Sequence, residues 1–425
     1  MKSGDAVKGP DAGETPRARR SWRFRIVAVL LSLTVVLVVP ELIVRAVGPT
    51  LRSYRAIQFG ADPNSSQLFE QDAELHWKLR ADADVEFMGT EVRTDANGFR
   101  VGSEAHPEAE ASILCLGDSM PFGWGVQADL IYPQVLRDRL AEIYPEETWK
   151  VYNAGVPGHS SHQMLLRARR LIPELRPDVV VICAGTNDTS PARESDAQLF
   201  DDGGFRRFAV TTLGQSDFLT WASETLRGDE VPPNPLYFEQ DAVSRVTVTE
   251  MLDNLTAAIA IAREYGATPI LLGPPSTVFL APRNIGDAMN KWRALAQQSQ
   301  ERLDNGHQAD ALAAVDEALV MNPDDIYLTW LKGMIVWMGI DAQTGRQMLV
   351  DLFERHPFPD RARPSCRAQQ EELARSLDVP YVDPNALFLV GRTDKEAQLL
   401  FFDWCHPNAD GHRLIGRELA SLVRR

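Results

Sequence analysis

Ile113-Leu114-Cys115-Leu116-Gly117-Asp118-Ser119 is a short apolar run that stops abruptly at a glycine, an acid and a serine. Its apolar residues follow one another without alternation, the pattern of a strand buried on both faces of a parallel sheet. Val179 to Ala184 has the same character, and Lys150 to Asn153, Pro269 to Leu272 and Tyr381-Val382 read as further strands. Between them, Pro133 to Ile143 and Ser161 to Leu171 carry apolar residues at helical spacing, as crossover helices do. Thr247 and Glu250 form a capping-box pattern ahead of a helix over Met251 to Tyr265. Strands alternating with helices place the chain in the α/β class.

In an open parallel sheet, ligands bind outside the carboxyl ends of the strands, so a serine at that edge is presented to substrate. A serine hydroxyl is a poor nucleophile until a neighbouring base takes its proton. A phosphate loop is excluded, because five residues rather than four separate Gly117 from Gly123, and Trp124 stands where the lysine belongs. The Gly-x-Ser-x-Gly elbow fails too, with Pro121 at the second glycine.

Near the other end, Asp403-Trp404-Cys405-His406-Pro407 puts a carboxylate and an imidazole three residues apart. The Asp can fix the imidazole tautomer while the His acts as general base and then acid. Acyl transfer also needs oxyanion donors. Gly155, in Asn153-Ala154-Gly155-Val156-Pro157-Gly158, offers a backbone N–H, and Asn187, in Gly185-Thr186-Asn187-Asp188, offers a side-chain amide. Taken singly, Asp-x-x-His pairs occur in helix caps and Gly or Asn in plain turns. What separates them from that background is the joint order Ser, Gly, Asn, Asp-x-x-His, each following a strand or closing the domain.

The four blocks Gly117-Asp118-Ser119, Gly155, Gly185-x-Asn187-Asp188 and Asp403-x-x-His406-Pro407 resemble the named blocks of SGNH (GDSL-type) hydrolases. The resemblance spans about Ile113 to Arg425, less two insertions. It implies a flavodoxin-like three-layer α/β/α sandwich with a mostly parallel sheet, and Ser119 as the nucleophile of a serine esterase. It also implies oxyanion donors at Ser119 N–H, Gly155 N–H and the Asn187 amide, a triad completed by Asp403 and His406, and neither metal nor cofactor. Asn97-Gly98-Phe99-Arg100 and Pro121-Phe122-Gly123-Trp124-Gly125 are similar to stretches of bacterial membrane-anchored members.

The amino terminus has its own signal. Ile26 to Val44 is apolar apart from Ser32, Thr34, Pro40 and Glu41, and follows Arg17, Arg19, Arg20, Arg23 and Arg25. That length suits a membrane span, and the basic flank places its amino-terminal side in the cytoplasm. The expectation is a single-pass anchor with a periplasmic or extracellular catalytic domain, a cleaved secretory signal being the alternative. The expected divisions are a disordered cytoplasmic tail (1–25), the anchor (26–46), a lead-in (47–110), the hydrolase domain (111–289 and 361–425) and a helical insertion (290–360).

In that insertion Gly306, Ala311-Leu312, Ala318-Leu319 and Pro323 fall much as in a tetratricopeptide repeat, with Trp330 to Phe353 as a degenerate second unit. So few repeats must lean on the hydrolase domain or on a protein partner. An ordinary helical hairpin is the other reading. The insertion follows Pro269 to Leu272 at the sheet edge that carries Ser119, so it is expected to border the site. The other insertion, Thr189 to about Ser244, reads as a loop-rich cover.

The 425 residues carry 44% hydrophobic content and a formal net charge of −15. That acidity excludes a nucleic-acid partner, which needs a basic face. Of the four cysteines, Cys115 and Cys183 read as core. Cys366 and Cys405 lie outside apparent strands, and in an oxidising compartment could pair and pin the catalytic loop. His159 and His162 read as polar lining of the site, and His412 as structural. The functional expectation is an ester hydrolase acting on an ester substrate, an O-acylated carbohydrate or glycan being the candidate. An O-acyltransferase using the same triad and a non-enzymatic scaffold built on the insertion are the alternatives.

Overall fold

The structure, a computed structural model, describes residues 18–47, 64–72, 74–102, 109–192, 194–201, 218, 242–282, 288–359 and 361–423. The chain divides into two units, Met1–Arg52 with Thr212–Asp229, and Ser53–Thr211 with Glu230–Arg425. The first holds helix α1 (Ala18–Val47). Its stretch Phe24–Ile43, 20 residues of mean hydropathy 2.7, is long and apolar enough to cross a membrane. The helix starts ahead of the apolar run, so residues 18–25, assigned to the tail from sequence, are helical. Arginine is a good helix former, and no glycine or proline interrupts Ala18 to Arg25. The rest of the expected tail, 1–17, lies outside the described residues.

The second unit is built on a mixed sheet. Its strands are β3 (Asp84–Phe87), β4 (Thr90–Thr94), β5 (Arg100–Val101), β6 (Ala111–Gly117), β7 (Trp149–Gly155), β8 (Val179–Cys183), β11 (Thr268–Leu272) and β12 (Tyr381–Val382). They lie in the order β12-β11-β8-β6-β7-β5-β4-β3. From β12 to β7 every pairing is parallel. The order reverses at β6, which has β7 on one side and β8 on the other, and the crevice beyond its carboxyl end is where such folds bind ligands.

The two faces of the central strands alternate as a pleat requires. Leu114, Leu116, Val180, Ile182 and Leu271 pack under α4 (Ser161–Leu175), α6 (Val248–Glu264) and α11 (Pro364–Ser376). Ile113, Cys115, Val181, Ile270 and Leu272 pack under α3 (Tyr132–Ile143) and α12 (Ala409–Leu422). Both faces are covered, which makes the expected three layers. Thr247 and Glu250 form the expected capping box at the start of α6, and Ser160 with Gln163 forms a second at the start of α4.

The lead-in joins the main sheet. Strands β3, β4 and β5 extend the main sheet in antiparallel fashion beyond β7. Beside them β1 (Phe69–Asp72) and β2 (His76–Leu79) form a separate hairpin. The first insertion contributes β9 (Pro191–Ala192), paired with β10 (Val243–Ser244), and α5 (Asp196–Asp201). Its remainder falls largely outside the described residues. After a short helix, Ala288–Lys291, the described residues of the second insertion form the longer helices α7 (Arg293–Asp304), α8 (Gln308–Met321), α9 (Ile326–Gly339) and α10 (Ala342–Arg355). It has a core of its own around Val315, Leu328 and Ile335. A further cluster joins Met334, Trp337 and Leu349 to Phe279 in the loop after β11.

Candidate active site

At the carboxyl end of β6 the chain turns directly into α2 (Ser119–Phe122), with the Asp118 carboxylate accepting the Met120 N–H at 2.9 Å as its cap. The turn is close-packed. A Cβ on Gly117 would lie 2.2 Å from the Cys183 carbonyl, and one on Gly155 2.2 Å from the Phe122 nitrogen, so neither position admits a side chain. Ser119 is 6% exposed.

Two buried side chains hold this turn. Asn153 donates to the Pro121 carbonyl at 2.7 Å. Arg100, 1% exposed, donates to the carbonyls of Phe122 and Gly123 at 2.7 Å and of Val126 at 2.8 Å. Its guanidinium also lies 4.8 Å from the Phe122 ring centre, and burial lowers its pKa to about 10.

His406 reaches the serine from a segment 287 residues away in sequence: its Nε2 is 2.7 Å from Ser119 Oγ. Its Nδ1 is 2.8 Å from Asp403 Oδ2 and 3.0 Å from Oδ1. Asp403 Oδ1 also accepts the backbone N–H groups of Cys405 and His406, at 3.0 and 2.9 Å, which curls the loop around its own carboxylate. Trp124 stacks on the imidazole, ring centres 5.3 Å apart and planes 16° from parallel. Phe87 meets the Trp124 ring edge-on.

Burial alone would raise the pKa of Asp403, but hydrogen bonds from the His406 ring and the two backbone N–H groups outweigh it and hold the carboxyl below its usual range. For His406, burial works against the imidazolium. The neighbouring Cys405 and Asp403 side chains more than offset it, and the imidazole titrates well above its ordinary range. Asp118, buried beneath the serine, is pushed up to about 6 by desolvation, partly countered by the Met120 N–H and by His406.

Gly155 and Asn187 stand at the carboxyl ends of β7 and β8, beside the Ser119 turn. Both have internal acceptors: the Gly155 N–H donates to Asn153 Oδ1 at 3.1 Å, and the Asn187 amide donates to Asp118 Oδ2 at 3.2 Å and to the His159 carbonyl at 3.0 Å. The Ser119 N–H, at the first position of a helix, has no intrahelical acceptor. The reading of His159 as site lining needs correction. Its ring is buried against Trp77, with Nε2 2.9 Å from the Trp77 carbonyl, and only its backbone carbonyl faces Asn187. His162 is half-buried. His412 is structural, its Nδ1 accepting the Tyr132 N–H at 3.0 Å.

All four cysteines are free. The disulfide considered for Cys366 and Cys405 does not form, because Cys366 packs at 3.5 Å on the Met251 sulfur while Cys405 lies at 3.7 Å from His406 Nδ1. Asp403, Cys405 and His406 bring metal-ligand-type atoms within 4.8 Å of one another. Both ring nitrogens of His406 are already engaged by Ser119 and Asp403.

Sequence reasoning missed Asp118, Asn153, Arg100 and Trp124 as supports of the site. The stretches around Arg100 and Trp124 stood out, but nothing in them says what the side chains hold.

The model of the GDSL-like Lipase/Acylhydrolase family matches residues 115–334. An arylesterase from Vibrio mimicus is 32% identical over 84 residues, which are 20% of this chain. The chain spans 41% of that relative's length. Among solved structures, the psychrotrophic esterase EstA from Pseudoalteromonas sp. is 16% identical, with 73% of this chain and 96% of that one covered and a TM-score of 0.32. The acetylxylan esterase Axe2 from Geobacillus stearothermophilus is 14% identical, with 74% and 94% covered and a TM-score of 0.35.

Proposed function

The chain belongs to the GDSL-like lipase/acylhydrolase family, and we propose that it is a serine ester hydrolase working through an acyl-enzyme formed on Ser119. The observation that carries this reading is the unbroken relay from Ser119 Oγ through His406 to Asp403, with contacts of 2.7 and 2.8 Å. Neutral His406 takes the serine proton as Oγ attacks the ester carbonyl, and the resulting imidazolium is stabilised by ionised Asp403. His406 then protonates the leaving alcohol. In the second half-reaction it activates a water that releases the acid and restores the serine.

The Ser119 N–H, the Gly155 N–H and the Asn187 amide are proposed to bind the oxyanion. In the free site Gly155 and Asn187 make contacts of 3.1 and 3.2 Å, and a developing negative charge is a stronger acceptor than the neutral Asn153 amide oxygen that Gly155 meets there. Asp118, its pKa raised to about 6 by burial, accepts the Asn187 amide at 3.2 Å and so holds that side chain beside the serine turn.

For the substrate we propose an O-acylated carbohydrate. Phe402, 54% exposed, stands beside Gly125 and the catalytic loop, and exposed aromatic faces are suited to stacking on sugar rings. The apolar helix Phe24–Ile43 supports a membrane anchor, with the catalytic unit on the non-cytoplasmic side given the arginines before it. Labelling by a serine-directed organophosphonate, lost in Ser119→Ala, together with turnover of small aryl esters and acetylated oligosaccharides, tests the reading. Absence of both labelling and turnover rejects it. Acyl transfer to an added acceptor glycan in preference to water would redirect it to an O-acyltransferase.

A further inference from the structure

The loop after β11 sits between the helical insertion and the catalytic Asp/His loop, and it is tied to both. On the catalytic side, the Thr277 N–H donates to the Trp404 carbonyl at 2.9 Å, and the Trp404 indole N–H donates to the Ala281 carbonyl. Trp404 lies between Asp403 and Cys405, so these two bonds grip the turn that presents His406.

On the insertion side, Phe279 stacks on Trp337 of α9, ring centres 4.3 Å apart. Arg361, 0% exposed and just beyond α10, donates to the carbonyls of Thr277, Leu280 and Ala281 while its guanidinium lies 3.8 Å from the Phe353 ring centre. A second connection runs to the helix Asp394–Gln398 that leads into the catalytic loop. There Arg346 of α10 pairs with Asp394 at 3.4 Å, and Lys395 lies 5.7 Å from the Trp337 ring centre.

From this we propose that the helical insertion is a positioning device for the catalytic base, acting through the Trp337–Phe279 stack and Arg361 on the Thr277–Ala281 loop, and from there on Trp404. The inference rests on the reading of Ser119, His406 and Asp403 as the triad. The loop 276–281 has no strand or helix of its own to hold it. Its first residue, Ser276, is tied to the hydrolase core by Asn385 and Arg367, whereas Thr277 to Ala281 are held by the carbonyls that Arg361 gathers and by the Phe279–Trp337 stack, where the insertion joins the domain. If those supports shift, the Trp404 anchor shifts, and with it the Asp403–His406 contact on which base strength depends. Phe279, Trp337, Arg361 and Trp404 are positioning residues and touch no reacting atom. Anything that binds the insertion and displaces α9 would then act on turnover.

The test uses the full chain with Phe279→Ala, Trp337→Leu, Trp337→Phe, and Val315→Ala as a control inside the insertion's own core. Two readouts are taken: steady-state hydrolysis of a small aryl ester, and titration of the His406 imidazole by NMR, which needs no substrate. Phe279→Ala and Trp337→Leu are expected to lower kcat on the order of ten- to hundredfold, the range for a catalytic group displaced by a fraction of an ångström to one ångström. KM should stay within about twofold, and the His406 pKa should fall as Asp403 loosens. Trp337→Phe, which keeps the stack, and Val315→Ala should leave both readouts at wild-type values.

A folded Phe279→Ala protein with wild-type kcat and an unchanged His406 titration overturns the proposal. Should that variant fail to fold, Trp337→Leu decides in the same way. A shifted His406 titration in a protein whose wild type shows no Ser119-dependent hydrolysis upholds the coupling and rejects the esterase reading. Ser119-dependent hydrolysis with the titration unmoved in both variants does the reverse.

Discussion

The nucleophile and the base are each supported by a fully buried arginine that gathers several backbone carbonyls, but the two supports have different origins. Arg100 holds Phe122, Gly123 and Val126 and belongs to β5, a strand of the main sheet. Arg361 holds Thr277, Leu280 and Ala281 and stands at the exit of the helical insertion. The serine is therefore fixed by the sheet itself. The Asp/His loop leans in addition on an element outside the sheet layers, while Ser119, bonded to His406, and Trp124, stacked on it, meet it from the serine side. A buried guanidinium suits both places because its five donors in a rigid fork can satisfy several carbonyls of an irregular loop at once.

The sharpest way to break this comparison is to remove its two ends. Ser119→Ala should cut kcat for a small ester on the order of 10⁶-fold with the fold retained, whereas Asp403→Asn, which spares the imidazole, should cost on the order of 10⁴-fold. Near-equal losses measured by steady-state kinetics would mean that the Asp403 side contributes more than orientation and charge. Asn187→Ala should follow with about 10²- to 10³-fold in kcat at little change in KM, as loss of one oxyanion donor does. A change confined to KM would move Asn187 from the oxyanion to ground-state binding.

The arginines themselves give the next test. Arg100→Met leaves three buried carbonyls without their donor, and urea unfolding should show a loss of about 3 kcal/mol or more. Arg361→Met should cost a similar amount by the same argument. It should in addition lower kcat in the protein that remains folded, because its carbonyls belong to the loop that grips Trp404. Equal residual activity in the two variants would erase the contrast drawn between the supports.

The smallest expected effect is in the pH profile. His406 must be neutral to accept the serine proton, and its pKa is raised in the folded protein. Activity therefore increases with pH through that raised value, and kcat/KM falls about tenfold per unit below it. A rate limb centred below the ordinary histidine pKa would show that Asp403 and Cys405 do not dominate over burial.

Much of this molecule is legible in its sequence, and the part that is not has a common cause. Strands β6, β8 and β11 are read directly, because burial on both faces leaves an uninterrupted apolar run. Strands β3, β4 and β5 are two to five residues long and carry Glu86, Glu91 and Arg93. Their membership of the main sheet depends on pairing with β7, which no local pattern encodes. Ser119, Asp403 and His406 are found because the chemistry needs those residue types in that order. Arg100 and Arg361 are passed over because arginine is among the residues least often fully buried.

The sequence by itself thus determined the layered α/β class, the apolar helix near the amino terminus, and the residue types of a serine hydrolase in their order along the chain. These are properties of local periodicity and of reaction chemistry, and both are written in single residues and short spacings. Only the tertiary structure decided that His159 turns its ring away toward Trp77, that Cys366 and Cys405 stay apart, and that the insertion meets the catalytic loop through Phe279 and Trp337. Each of these depends on which distant segments share a buried volume and on which donor reaches an otherwise unsatisfied carbonyl, and that is settled only when the whole chain packs.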